Sequence, residues 1–135
     1  MAEPKDDRNE AEWEHCLTPQ QFDVLRRHAT EMPGSSLLNA EKRAGRFVCA
    51  GCAQELFAST TKFESGTGWP SFWEPVPGAI ATSTDASLGR VRTEVHCSRC
   101  GGHLGHVFPD GPKPTGLRYC INGAALAFRP ESGPA

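Results

Sequence analysis

The chain has 135 residues, enough for one domain with its own core and too few for a second. With 14 Lys and Arg against 16 Asp and Glu, the formal charge of −2 excludes the broad cationic surface of a nucleic-acid binder. No stretch approaches the ~18 apolar residues of a membrane helix, and 14 Gly with 11 Pro leave little room for long helices, so the expectation is a soluble chain of short strands and turns.

Residues 1–12 are mostly charged and lack apolar periodicity, which predicts a solvated lead-in to a single domain over 13–130, with 131–135 as a tail. No basic flank leads into an apolar run, so no secretory signal is read and a reducing cytoplasm is expected. Thr18-Pro19-Gln20-Gln21 carries a capping box with proline at the first helical position. Phe22, Leu25 and His28 or Ala29 then repeat at helical spacing, and Pro33-Gly34 reads as the stop. From Gly45 onward short runs lie between turn formers: 46–48, 55–57, 80–82, 89–96, 107–108, 117–121 and 125–128. The run 89–96 alternates cleanly, with Val91, Thr93 and Val95 on one face and Arg92, Glu94 and His96 on the other, as a half-buried antiparallel strand requires. The architecture is therefore mainly β, with meandering antiparallel sheets and few helices.

Cys49-Ala-Gly-Cys52 and Cys97-Ser-Arg-Cys100 are two Cys-x-x-Cys knuckles, the ligand spacing of a closed tetrahedral zinc site. Four thiolates leave no open position for water, so this Zn2+ is expected to be structural, tying two distant hairpins together. Two other readings are a pair of reducible disulfides and a mixed set of Cys97, Cys100, His103 and His106, which would strand the first knuckle. With both knuckles used, His103 and His106 stay free, as do Cys16 and Cys120. In Arg118-Tyr119-Cys120-Ile121-Asn122 the period of two puts cation, sulfur and amide on one face. A cation there favours the thiolate and the amide can bind a ligand, so Cys120 reads either as a nucleophile or as a small core residue. Gly68-Trp69-Pro70-Ser71-Phe72-Trp73 reads either as core or as the wall of an apolar slot.

These segments in order closely resemble the methionine-R-sulfoxide reductase family (MsrB). They are Ser65-Gly-Thr-Gly-Trp-Pro-Ser-Phe72, then Cys-x-x-Cys-Gly-Gly-His103-Leu-Gly-His106-Val-Phe, then Pro114-Thr-Gly-Leu-Arg-Tyr-Cys120-Ile-Asn122, with both knuckles, and the likeness runs from about 18 to 129. The resemblance implies a zinc-stapled fold of two antiparallel sheets, a β-tent, with short N-terminal helices. It makes Cys120 the nucleophile and puts His103 and His106 beside the substrate oxygen. Asn122 would orient groups near the sulfur, Trp69 would meet the substrate methyl, and Arg118 would join the substrate-binding set. Thiolate attack on a sulfoxide sulfur needs an acid for the departing oxygen, a role for an imidazole, with His106 favoured. The step leaves a sulfenic acid that a second thiol condenses with, expelling water. Many members of the family carry that second cysteine where this chain has Thr67. Some resemble the present arrangement, with an alternative cysteine near the N-terminus, and Cys16 stands there. The expectation is a Cys16–Cys120 disulfide reduced by thioredoxin, with direct attack by an external thiol as the alternative. The implied substrate is oxidised methionine, free or in proteins, handled by a monomer. A non-catalytic zinc-ribbon module with an inert Cys120 is the competing class, and a nucleic-acid-binding ribbon is disfavoured by the charge.

Overall fold

The computed structural model describes residues 9–86 and 91–131; the first part of the expected lead-in, the start of the 89–96 run and most of the tail lie outside the described residues. Asn9 caps helix α1 (Glu10–Cys16) through a capping box with Glu12, and Thr18 caps helix α2 (Pro19–Arg27) with Gln21. Helix α1 begins inside the expected lead-in. Its one buried anchor is Trp13, 1% exposed, and a single apolar residue among charges has no period to read. Helix α2 buries Phe22, Val24 and Leu25 but stops at His28, whose left-handed φ of 61° ends it well before Pro33-Gly34.

Among the described residues nine strands follow: β1 (Gly45–Cys49), β2 (Glu55–Ala58), β3 (Lys62–Phe63), β4 (Ser71–Phe72), β5 (Ile80–Asp85), β6 (Arg92–Cys97), β7 (His103–Phe108), β8 (Arg118–Ile121) and β9 (Leu126–Pro130). All pairings are antiparallel, in a three-stranded sheet ordered β2-β1-β9 and a six-stranded sheet ordered β3-β4-β8-β7-β6-β5. The expected fold class is thus borne out. Every run read as a strand overlaps one among the described residues, while β3 and β4 are too short to carry a period. The core fills the space between the sheets: Phe57 stacks on Phe72 at 4.3 Å between ring centroids, and Phe47 meets Phe72 edge-on at 5.0 Å. Among the described residues, no helix is long and apolar enough to cross a membrane.

The two knuckles occupy equivalent places, one on each sheet. Cys49 ends β1 and Cys97 ends β6, so each pair turns a hairpin, β1–β2 in the small sheet and β6–β7 in the large one. Their backbones repeat the same bonds: Ala53 N–H to Cys49 C=O at 2.8 Å and Gly101 N–H to Cys97 C=O at 2.9 Å. The fifth residue of each turn is left-handed, with φ of 65° at Ala53 and 75° at Gly101. Glycine accepts that conformation without strain and alanine does not. Ala53→Gly should therefore raise stability by about 0.5 kcal/mol and Gly101→Ala lower it by about 1 kcal/mol. Chemical denaturation of the metal-loaded protein would read both, and equal signs would refute the equivalence of the two turns.

Candidate active site

Antiparallel register decides which side chains meet. Cys120 on β8 stands directly opposite Ser71 on β4 and His106 on β7, and His106 stands opposite Glu94 on β6. Directly paired residues share a face, so Ser71, Cys120, His106 and Glu94 form one row across the large sheet. Arg118, two residues before Cys120, faces Phe108 across the same ladder. The alternate residues Phe72, Tyr119, Ile121 and Val95 turn the other way into the core. Closeness along this row requires Gly105: a Cβ there would collide with the Cys120 carbonyl oxygen.

His103 and His106 are three apart and would face opposite ways on a regular strand. The β6–β7 register slips: Val95 pairs Gly105, yet the next residue, His96, pairs His103, so Leu104 is the extra residue of a bulge. The slip returns His103 to the row's face. The two rings lie 5.6 Å apart at 69°.

Each imidazole is held by a carboxylate. His106 donates Nε2–H to Asp85 Oδ2 at 2.8 Å, and His103 donates Nδ1–H to Glu94 Oε2 at 2.5 Å. His28 also donates Nδ1–H to Glu94 Oε2, at 2.7 Å, and His96 approaches its other oxygen at 3.4 Å. Burial pushes the His103 pKa down to about 4 against the pull of Glu94, so its ring is neutral near neutral pH. With the proton on Nδ1, His103 Nε2 is a bare acceptor, buried and without a protein partner.

Around Cys120 the environment is mixed. Burial raises its pKa above the ordinary thiol value; the Arg118 cation and a hydrogen bond from Thr67 act downward, and the Glu31 charge acts upward. Arg118 thus does favour the thiolate, as the sequence suggests, but burial outweighs it. Arg118 is itself oriented by a bidentate pair with Asp110, at 2.9 and 3.2 Å, and by stacking 4.5 Å from the Phe108 ring centre. The Asn122 amide is less free than its place in the strand implies: Oδ1 accepts from Glu31 N–H at 2.9 Å and Nδ2 donates to Leu104 C=O at 3.0 Å. Trp69 is half-buried, its indole N–H donating to the Glu31 C=O at 3.0 Å. Ser65, Thr67 and Ser71 are linked through their hydroxyls at 2.7 Å beside the sulfur.

Cys49, Cys52, Cys97 and Cys100 form a separate cluster, their sulfurs all within 4.8 Å of one another. Cys49 and Cys100 are 3.7 Å apart and Cys52 and Cys97 3.5 Å. A tetrahedral zinc with bonds of ~2.3 Å sets sulfurs ~3.8 Å apart, so the set could hold such an ion. Crowding alone drives the thiols apart in acidity: hydrogen bonds from Cys100 and Cys49 hold Cys52 down, while Cys49 is pushed up. Cys16 ends helix α1, exposed and unpaired, and forms no disulfide with Cys120.

The sequence reading singled out neither Glu31 and Asp110 nor Asp85, and read Glu94, His28 and His96 only as points in a periodic pattern. Glu31 is the hardest to find. It lies outside any regular element, yet it is 5% exposed and binds Trp69, Asn122 and, through Oε1 at 2.8 Å, Ala124 N–H. The one available signal was a carboxylate just before the Pro-Gly turn.

Residues 17–130 match the SelR domain. The chain is 51% identical over 131 residues to the peptide methionine sulfoxide reductase MsrB of Agrobacterium fabrum, covering 96% of this chain and 97% of that protein. It is 54% identical over 125 residues to the protein of that name in Bradyrhizobium diazoefficiens (92% and 90%), and 52% identical over 132 residues to that in Methanosarcina mazei (97% and 94%). A thiol and two carboxylate-held imidazoles on one sheet face, with an indole pinned in the loop before β4, thus accompany likeness along almost the whole length, and the chain belongs to the MsrB family.

Proposed function

We propose that this chain is a peptide methionine sulfoxide reductase acting on the R epimer, with Cys120 as nucleophile. The observation that carries the reading is the register that sets Cys120 directly opposite His106 on a face shared with His103. In this reaction the Cys120 sulfur bonds the sulfoxide sulfur; the oxygen then passes to the Cys120 sulfur as the substrate S–O bond and the new S–S bond break, so methionine leaves and the oxygen stays behind as Cys120 sulfenic acid. The proton lost by the thiol ends on that oxygen, so one histidine suffices as a relay. His106, paired with Asp85, takes that role. His103, kept neutral with a bare Nε2, accepts a hydrogen bond at the site and has no Nε2 proton to give near pH 7. The Trp69 indole, fixed by the Glu31 carbonyl, supplies the apolar contact for the substrate methyl, and Arg118 favours the developing thiolate.

The second half of the cycle is a condensation of the sulfenic acid with Cys16, expelling water and leaving a disulfide that thioredoxin reduces. What supports it is chemical: Cys16 is exposed and free, and the four remaining cysteines belong to the sulfur cluster. Because Cys16 ends a helix anchored by Trp13, this step needs α1 to leave its seat. The reading further comprises a monomer in the reducing cytoplasm. Zinc on the four cysteines supplies folding energy and leaves the chemistry to the protein. No anionic polymer enters, in keeping with the charge of −2.

Three measurements test this. In single turnover without external reductant, pre-reduced protein should consume the R epimer alone and lose two thiols per methionine formed. Cys16→Ser should lose one thiol with the first turnover intact, whereas Cys120→Ser should form no methionine. Consumption of neither epimer by folded protein would hand the chain to the binding-module class. Chelation of the metal should lower the melting temperature by more than ~10 °C, since it removes the tie between the two hairpins; an unchanged melting curve would dismiss the structural role. Finally, alkylation of Cys120 below its pKa follows its thiolate fraction. Arg118→Gln should slow it about threefold or more at pH 7, and Glu31→Gln should speed it by a similar factor. Rates should climb through the ordinary thiol range, and a plateau already at pH 7 would contradict the raised pKa.

A further inference from the structure

We propose that His28, His103 and Glu94 form a second metal site, taking a divalent first-row transition cation through two imidazole Nδ1 atoms and one carboxylate oxygen. The three ligand atoms already lie within 4.8 Å of one another, apart from the four-sulfur cluster. Two imidazoles point at a single oxygen, at 2.7 and 2.5 Å, with their rings stacked 5.1 Å apart at 24°. Two histidines with one carboxylate is a donor set that binds such cations and leaves a position open to water.

The approach is built on both sides. Glu94 and His103 are buried, whereas the His28 side chain is 58% exposed and forms the entry. His28 carries a left-handed backbone, which aims its ring back over Glu94 from the end of α2. Non-glycine residues adopt that conformation at a cost and often where a site requires it. Glu94 contributes the negative charge: burial works against its ionisation, but His96, His103 and His28 together hold it below the ordinary carboxylate range. A tetrahedral ion with bonds of ~2.1 Å sets its ligands ~3.4 Å apart, so the nitrogens must withdraw by less than ~1 Å. The exposed His28 can do so.

The proton balance has a consequence at the reacting face. His103 does not lose its proton when it binds through Nδ1; the proton moves to Nε2. His103 Nε2, buried and without a partner, then changes from acceptor to donor. A cation here would therefore invert the polarity of one wall of the site and slow reduction. Binding stands independently of the reductase reading, and only the loss of turnover rests on it.

The test is a Co2+ titration of pre-reduced protein carrying one zinc per chain, followed by visible absorption and metal analysis. The expected result is one further equivalent with weak d–d bands, no thiolate charge-transfer band, and zinc retained. His28→Asn, which tolerates the left-handed backbone, should weaken that equivalent at least tenfold, while Cys120→Ser should leave it unchanged. Methionine sulfoxide turnover in the native chain should fall with the same midpoint. Absence of the further equivalent, equal affinity in His28→Asn, or a thiolate band that vanishes in Cys120→Ser would each overturn the site. Binding as expected with unaltered turnover would keep the site and overturn its effect on catalysis.

Discussion

The antiparallel pairing of β8 with β7, and of β7 with β6, is the constraint on which the rest depends. It brings a thiol, an imidazole and a carboxylate into one row although they lie far apart in the chain. The row is useful because of one irregularity. Without the extra residue at Leu104, His103 would turn into the core and Leu104 into the site, and one carboxylate-held imidazole would be missing. Gly105 next to the bulge allows the close approach, so the Gly-Gly-His-Leu-Gly-His segment describes a strand that must both bend and come near its neighbour.

A second layer fixes the first. Backbone and side chain of Glu31 tie the loop after α2 to Trp69, Asn122 and the turn that follows Cys120. These bonds are largely shielded from water, where hydrogen bonds are strong and an unpaired partner is costly. The arrangement leaves one Glu31 oxygen, Oε2, buried without a partner. That uncompensated charge opposes ionisation of Cys120, while Arg118 favours it. Burial and the Glu31 charge thus favour the thiol form of Cys120 against the pull of Arg118.

The sequence made the fold class, most strands and the sulfur cluster legible for local reasons. Alternation at 91–95 needs only neighbours, and two Cys-x-x-Cys pairs have few chemical uses. The position of Cys120 between Arg118 and Asn122 was legible by the same period of two. What was not legible depends on long-range contacts. The bulge at Leu104 is a property of two strands, the partners Asp85, Glu94 and Asp110 are set by register or by a loop returning, and Glu31 lies outside any periodic segment. Helix α1 escaped because one tryptophan anchors it, and the end of α2 because a histidine took the left-handed conformation usual for glycine.

Thr67 gives the chain its particular character within this frame. Its hydroxyl donates to the Cys120 sulfur, so a group that cannot be oxidised stands beside that thiol. On the proposed cycle a resolving thiol must then arrive from elsewhere. For Cys16 this means withdrawing Trp13, which packs against Gly51 of the first knuckle and lies under the Arg26 guanidinium at 4.7 Å. Loss of a buried tryptophan contact costs about 3–5 kcal/mol, which leaves the opened state at well under 1% of molecules at rest. On the proposed cycle such a population would slow resolution without preventing it. The proposed cycle would thus keep its two halves physically apart, with reduction on the sheet face and resolution by helix α1, whose one buried side chain is Trp13.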